Sequence, residues 1–336
     1  MNAPLNASRM EDVAREAGVA RVTVSRALSD PDKVSPATRN AVRQAIERLG
    51  YVPNLTAGSL ASRRSRIVGA IVPTLSNSWF ADAMDGLAET LGAAGYQLML
   101  GQSRYHAQAE AGLVDTFMGR QVDALVLTGV VHEEAVRRQL RRMQLPTVEI
   151  WDMTDDPIDR LVGFSNVAVG EAVAHHFFQR GRRTLAYMGA TEGRSIKRLN
   201  GLQAGCAAAG LEPPIFEMVN PTSTMQDGAR CIAALLERQP RIDGVFCSND
   251  TMAIGVLSEC RRLGIDVPGR VAVVGFSDLS IASACVPTLT SVRVQTRELG
   301  SCAGRVLLDR LKGDPHAASL PRIIDTGFEI VQRESG

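Results

Sequence analysis

Along the first fifty residues the apolar positions recur at helical spacing in three short blocks. Met10, Val13, Ala14 and Ala17 form one stripe, after which Gly18 turns the chain. Val24, Ala27 and Leu28 form the second, which predicts a helix from about Arg21 to Leu28 with those three residues facing a core. Val22 then points the opposite way, an apolar β-branched residue among Arg21, Thr23, Ser25 and Arg26. Ser35 before Pro36 is an N-cap signal with proline at the first helical position. Val42, Ala45, Ile46 and Leu49 continue as a third helix that stops at Gly50.

From Tyr51 to Arg66 the stretch "YVPNLTAGSLASRRSR" is small, polar and basic, with Leu60 as its one large apolar residue after Leu55, and reads as a linker. Beyond it the pattern changes. "RIVGAIVP", "YQLMLG", "DALVLT", "TVEI", "LVGF", "TLAYMG", "DGVFC" and "RVAVVG" are near-continuous apolar runs separated by helical stripes. Such runs are strands of parallel sheets covered on both faces, so the fold class is α/β. About ten such units exceed one small sheet and predict two doubly wound lobes. "DMTDDPIDR" interrupts the rhythm before a division near Gly163, and further crossings are expected near Thr290 to Arg297 and near Leu320. A two-lobed body of this kind places its ligand at the carboxyl ends of the strands.

Composition sharpens the division. The 336 residues carry a net charge of only +1, but Met1 to Arg66 carries +5 and the remainder −4. A basic head on a slightly acidic body directs the head to a polyanion. The six cysteines form no C-x-x-C pair and read as buried free thiols in a reducing compartment. The start "MNAPLNASRMEDV" has no signal-peptide pattern and no apolar run approaches a membrane span, so a soluble cytoplasmic protein without a membrane partner is expected.

Helix, glycine turn and helix within about twenty residues is the helix-turn-helix pattern, whose second helix enters the major groove. With "VSPATRNAVRQAIERLGYVPN", "AGSLASRRSRIVGAIVP", "GVFCSNDTMAIGVL" and "VAVVGFSDLSIASACVPTLTSV" following in order, the chain resembles the lactose-repressor family of bacterial regulators over nearly its whole length. Within it, "RQVDALVLTGVVHEE", "PTVEIWDM" and "RLVGFSN" look most like the gluconate-utilisation repressor branch. The resemblance implies a DNA-binding domain over residues 1–53, a hinge over 54–66 and an effector-binding and dimerisation domain over 67–336. Its N-lobe is expected at about 67–161 and 294–322, and its C-lobe at about 162–293 and 323–336. A homodimer on double-stranded operator DNA with an inverted repeat follows from the same resemblance.

Arg21, Val22, Thr23, Ser25 and Arg26 match the family's groove-reading turn. Arg26 offers a bidentate donor to guanine and Val22 an apolar surface for a thymine methyl. A solvated helix face is the bland alternative. Lys33, Ser35, Tyr51 and Asn54 are candidates for backbone contacts. In the family's pattern Leu60 lies on a hinge helix that wedges into the minor groove, with Ala57 and Ala61 keeping its flank small.

The resemblance also nominates effector contacts: Trp79 and Phe80 after the first strand, Asp152 after "TVEIW", Arg198 in "SIKRLNG" for the ligand's polar head, and Asn249 beside Asp250. Each has a structural alternative: core or dimer contacts for the aromatics, a surface ion pair for Arg198, helix caps for Asn249 and Asp250. Many sugar-binding members carry Asp directly after an aromatic residue where "GFSD" has Ser277, with Asp278 one further on. Losing that charge, with Arg194, Lys197 and Arg198 available to a carboxylate, favours a sugar acid such as gluconate over a neutral sugar. No metal-ligand spacing, G-x-S-x-G elbow or P-loop supports an enzyme, and no cofactor is expected. The alternatives are a two-lobed solute-binding protein without a DNA role, and the same regulator with a neutral sugar or purine effector.

Overall fold

The protein is described by a computed structural model at residues 8–52, 64–312 and 321–336. Asn54, Ala57 and Leu60 therefore lie outside the described residues. The chain divides into two compact units, Met1–Ser65 and Arg66–Gly336.

In the first unit the expected blocks are helices α1 (Met10–Glu16), α2 (Arg21–Ser29) and α3 (Pro36–Leu49), with a 3-10 turn at Pro31–Lys33. Gly18 takes φ +65°, which a side chain resists, and so makes the tight turn between α1 and α2. The Ser35 hydroxyl accepts from the Thr38 backbone N–H at 3.2 Å and caps α3, and Gly50 ends it at φ 57°. Val13, Ala14, Val24, Val42, Ala45 and Tyr51 form the small core. Leu28 departs from the expectation: it is 39% exposed and sits outside that cluster, one residue before the end of α2.

The second unit contains two six-stranded sheets. The first has the order β11-β5-β4-β3-β1-β2, from β1 (Ile67–Val72), β2 (Gln97–Gln102), β3 (Ala124–Thr128), β4 (Thr147–Ile150), β5 (Arg160–Gly163) and β11 (Ile323–Asp325). Every pairing in it is parallel, with Ala70 opposite both Leu100 and Val126. The second has the order β12-β10-β9-β8-β6-β7, from β6 (Leu185–Ala190), β7 (Ile215–Val219), β8 (Gly244–Cys247), β9 (Ala272–Ser277), β10 (Thr290–Arg293) and β12 (Glu329–Val331). It is parallel except for β12, which runs antiparallel to β10.

The helices are α4 (Ser78–Ala93), α5 (Ala107–Gly119), α6 (Glu134–Met143), α7 (Asn166–Gln179), α8 (Gly193–Ala208), α9 (Met225–Arg238), α10 (Asp250–Arg262) and α11 (Thr296–Lys312). Three helix pairs pack most extensively: α4 with α11, α7 with α8, and α9 with α10. The chain crosses between sheets after Gly163, after β10, and after Asp325. The last crossing is later than the expected one near Leu320, because Ile323–Asp325 pairs with β5 and belongs to the first lobe. For the same reason β5, which straddles the boundary expected at residue 161, stays whole in the first sheet. Cys206, Cys231, Cys247 and Cys260 are buried free thiols, and Cys285 and Cys302 are half-buried. Among the described residues, no helix is long and apolar enough to cross a membrane.

Candidate DNA-reading helix and effector cleft

On α2 the apolar residues divide as the spacing predicts: Val24 is 0% exposed and Val22 is 61% exposed. Arg21, Ser25 and Arg26 share the exposed side, while Thr23 is half-buried. Arg21 pairs with Glu11 of α1 at 3.1 Å, a surface pair that water screens and a phosphate or base edge can displace. Lys33 pairs with Asp30 at 2.6 Å. Ser35 and Tyr51 have structural work in this unit, the first as the α3 cap and the second in its core.

In the second unit a cleft of about 360 Å³ opens where β1, β2, β3, β4, β6 and β7 end. The first lobe contributes Tyr105, Glu110 and Thr128 to its walls, the second Thr191, Glu192 and Arg194, with Asp152 also lining it. This is the carboxyl-end position that open parallel sheets offer a ligand. Asp152 is placed by Trp151, which takes a left-handed φ of 77° directly after β4, and by Gly163, where a Cβ would collide with the Asp152 carbonyl oxygen.

An aromatic series runs from α4 of the first lobe to β9 of the second. Ring centroids lie 5.8 Å apart for Trp79 and Phe80, 5.2 Å for Phe80 and Trp151, 6.0 Å for Trp151 and Phe164, and 6.1 Å for Phe164 and Phe276. The two arginines of α8 lie against two of its rings: Arg194 is 5.4 Å from the Phe80 centroid and Arg198 is 4.3 Å from that of Phe276, the last of the series. Such cation–π contacts hold the guanidinium plane while leaving its edge free to hydrogen-bond.

Every carboxylate lining the cleft is already paired. Asp152 accepts from Lys197 Nζ at 2.7 Å and from Asn166 Nδ2 at 3.2 Å. Glu192 caps α8, accepting from the backbone N–H groups of Ser195 and Arg194 at 2.8 and 3.1 Å, and from Arg194 Nε at 3.1 Å. Burial works to raise the Glu192 pKa, but the Arg194 and Arg198 charges and those N–H groups outweigh it and hold it below the usual range. Glu110 Oε1 lies 2.6 Å from His132 Nδ1, whose Nε2 lies 3.2 Å from the Gly129 carbonyl and 3.4 Å from Glu149. Arg198 gives NH1 to Asn166 Oδ1 at 2.5 Å, and its NH2 lies 3.5 Å from the Ser248 carbonyl and 3.7 Å from Glu192. Against this pairing, Arg194 NH1, Arg198 Nε, Trp151 Nε1 and Ser277 Oγ are buried without a partner.

The structure thus brings Phe80, Asp152 and Arg198 into one region. Trp79 and Ser277 line a neighbouring depression of about 580 Å³ between α4 and the turn after β9. Ser277 has φ 109°, and the following Asp278 is held by Arg293 and Arg333 at 2.7 and 2.6 Å. Asn249 behaves as a cap: its Oδ1 accepts from the Met252 N–H at 2.9 Å and its Nδ2 donates to Ser223 at 2.8 Å. Asp250 is buried between the Ser291 hydroxyl and the Leu279 N–H, each at 2.6 Å, and its burial pushes its pKa up to about 6. Sequence reasoning missed Tyr105, Trp151, Asn166 and Glu192. One signal was available for Trp151: in a chain with two tryptophans it stands directly after the apolar run "TVEI" that forms β4. Among the described residues no cluster of His, Cys, Asp and Glu offers a metal site.

A helix-turn-helix head with an exposed reading helix, and a two-lobed body with a polar cleft, define a ligand-responsive DNA-binding regulator. Residues 9–54 match the model of bacterial regulatory proteins of the lacI family, and residues 174–336 match the periplasmic binding protein-like domain. The chain is 36% identical over 328 residues to the HTH-type transcriptional regulator GntR of Pseudomonas aeruginosa, covering 97% of this chain and 95% of that one. It is 33% identical over 322 residues to the GntR of Escherichia coli, covering 96% of each. A lacI-family regulator from Silicibacter pomeroyi superposes with a TM-score of 0.90 at 31% identity, over 98% of this chain and 99% of that one. The chain belongs to the lacI family: it is a DNA-binding transcriptional regulator and not an enzyme.

Proposed function

We propose that this regulator is a repressor of sugar-acid catabolic genes, that it binds an inverted-repeat operator as a homodimer, and that a gluconate-type acid in the cleft controls it. The observation that carries the effector class is the charge balance: the cleft's carboxylates are all paired, while Arg194 and Arg198 retain buried N–H groups without partners. A buried donor without a partner costs about 1–3 kcal/mol, and an anionic ligand recovers it. The GntR name of relatives at 33–36% identity supports the same class. On the DNA side, Val22 and Arg26 read base edges, Arg21, Thr23 and Ser25 flank them, and Lys33, Ser35, Tyr51 and Asn54 hold the backbone. Leu60, outside the described residues, is proposed as the minor-groove wedge, with Ala57 keeping its flank small.

The test pairs a salt-controlled binding assay on the DNA upstream of the protein's own gene with calorimetric titration of ligands. Specific binding that gluconate changes and glucose does not is the expected result. Binding of glucose or galactose as tight as that of gluconate overturns the sugar-acid reading.

A further inference from the structure

The cleft holds more information than its overall charge. Among its described lining residues Arg194 is the one lysine or arginine, facing three carboxylates: Glu110, Asp152 and Glu192. Lys197 is engaged with Asp152, and Arg198, which does not line the cleft, has both amino groups turned to protein oxygens. What Arg198 has left is Nε alone, a single N–H against the Phe276 side.

Arg194 is arranged differently. Its Nε is tied to Glu192, and its plane is set by Phe80. NH1 is buried with no partner, and the side chain is only 11% exposed. A guanidinium anchored at one nitrogen, with a second donor nitrogen left unpartnered, is pre-organised to receive a carboxylate. Tyr105, Thr128 and Thr191 line the same cleft with neutral hydroxyls; burial raises the Tyr105 pKa, so its phenol stays neutral. The paired carboxylates keep lone pairs that accept from ligand hydroxyls.

From this arrangement, and resting on the sugar-acid reading above, we infer that Arg194 rather than Arg198 receives the ligand's carboxylate, and that the ligand is a mono-anionic polyhydroxy acid without a phosphate. Among the described lining residues a second anionic group would find no second arginine or lysine, the nearby Lys197 being engaged with Asp152, and it would meet Glu110 or Asp152.

The experiment is calorimetric titration of the full chain and its Arg194→Gln and Arg194→Lys variants with gluconate, gluconamide and 6-phosphogluconate. Gluconamide keeps the carbon skeleton and removes the charge. Wild type is expected to prefer gluconate over gluconamide by about 10-fold or more, the scale of one charge-assisted pair. It is also expected to bind 6-phosphogluconate more weakly than gluconate. Arg194→Gln should abolish the preference for gluconate while leaving gluconamide affinity within about 3-fold, roughly 0.6 kcal/mol. Arg194→Lys, which keeps the charge without the fork, should fall between. If Arg194→Gln does not fold by circular dichroism, the Lys variant decides: a preference equal to wild type overturns the assignment. An undiminished preference in a folded Arg194→Gln overturns it as well, and leaves the sugar-acid reading standing. Tighter binding of 6-phosphogluconate than of gluconate overturns the mono-anion inference. A wild-type chain that binds gluconamide as tightly as gluconate, or binds neither, overturns the sugar-acid reading and the Arg194 assignment together.

Discussion

Val22 packs against nothing in the core of its own unit, so shortening it should leave the fold nearly untouched. Its proposed role in DNA reading predicts that Val22→Ala loses about 1 kcal/mol at one base pair of the operator, measured by competition among single-base operator variants. A loss spread evenly over all variants would mark a backbone contact instead. His132 makes a second prediction at this scale. Burial alone lowers its pKa, but the hydrogen bonds and charges of Glu110 and Glu149 reverse this and raise it to about 9. The stability this provides is complete below the ordinary histidine value of about 6.5 and is lost as the pH rises through about 9. Denaturant melts of wild type and His132→Gln should therefore differ most near pH 6 and converge near pH 9.5; a gap independent of pH removes the charged pair from the account. His176 runs the other way. Burial first and Arg180 second lower its pKa to about 4, so its contribution is present above about 6.5 and fades as the pH falls. Some single residues were readable from spacing alone. Val22 and Ser35 were, because exposure on a short helix and capping are local properties. The division of work among Arg194, Lys197 and Arg198 was not. It depends on partners such as Asp152 and Asn166, which lie 45 and 32 positions away.

Helices α7 and α8 touch through reciprocal glycines. A Cβ at Gly170 would collide with the Arg198 carbonyl oxygen, and one at Gly201 with the carbonyl oxygen of Val167. The close approach fixes the height of α8, and with it Arg194 and Arg198, above the cleft floor. Gly170→Ala should therefore cost about 1–3 kcal/mol of stability by overpacking and weaken gluconate binding, although the residue lies outside the cleft lining. Thermal melts and titration on the same sample check both; a destabilised variant with unchanged affinity would separate the crossing from the site. At the element scale the sequence was most readable where burial is two-sided. All eight apolar runs are strands: seven lie inside their sheets, where central parallel strands need apolar side chains on both faces, and the eighth, β2, is an edge strand that is only partly buried. The edge strand β7 escaped, since "IFEMV" is only partly buried and carries no continuous apolar signal. "RIIDTGFEIV" reads as one extended stretch, yet its halves are β11 and β12 in different sheets. Gly327, with φ +66°, lies between them, and which sheet each half joins is decided by neighbours far away in sequence.

At the scale of the molecule the two lobes are fastened across the cleft by Asp152, from the end of β4, and Lys197 of α8 at 2.7 Å. Asp152 is buried and Lys197 half-buried, so water screens the pair only in part. A ligand that spans the lobes alters DNA binding only through unequal affinity for two lobe arrangements. The pair favours the arrangement described here by an amount on the order of 1 kcal/mol. Replacing Lys197 by Met keeps the aliphatic stem and removes the fastening, while Asn166 and the Met153 N–H still serve Asp152. If gluconate prefers this arrangement, Lys197→Met should weaken gluconate binding by about 5-fold, the equivalent of 1 kcal/mol. Linkage then fixes the sign of a second effect. On that premise gluconate and the Lys197–Asp152 pair push the lobes the same way, so removing the pair must change operator affinity in the direction opposite to gluconate. Operator titrations of wild type and Lys197→Met, each with and without gluconate at one salt concentration, measure all four corners of that cycle. A variant that shifts operator affinity in the same direction as gluconate, or not at all, shows that the ion pair takes no part in coupling the cleft to the DNA-binding unit.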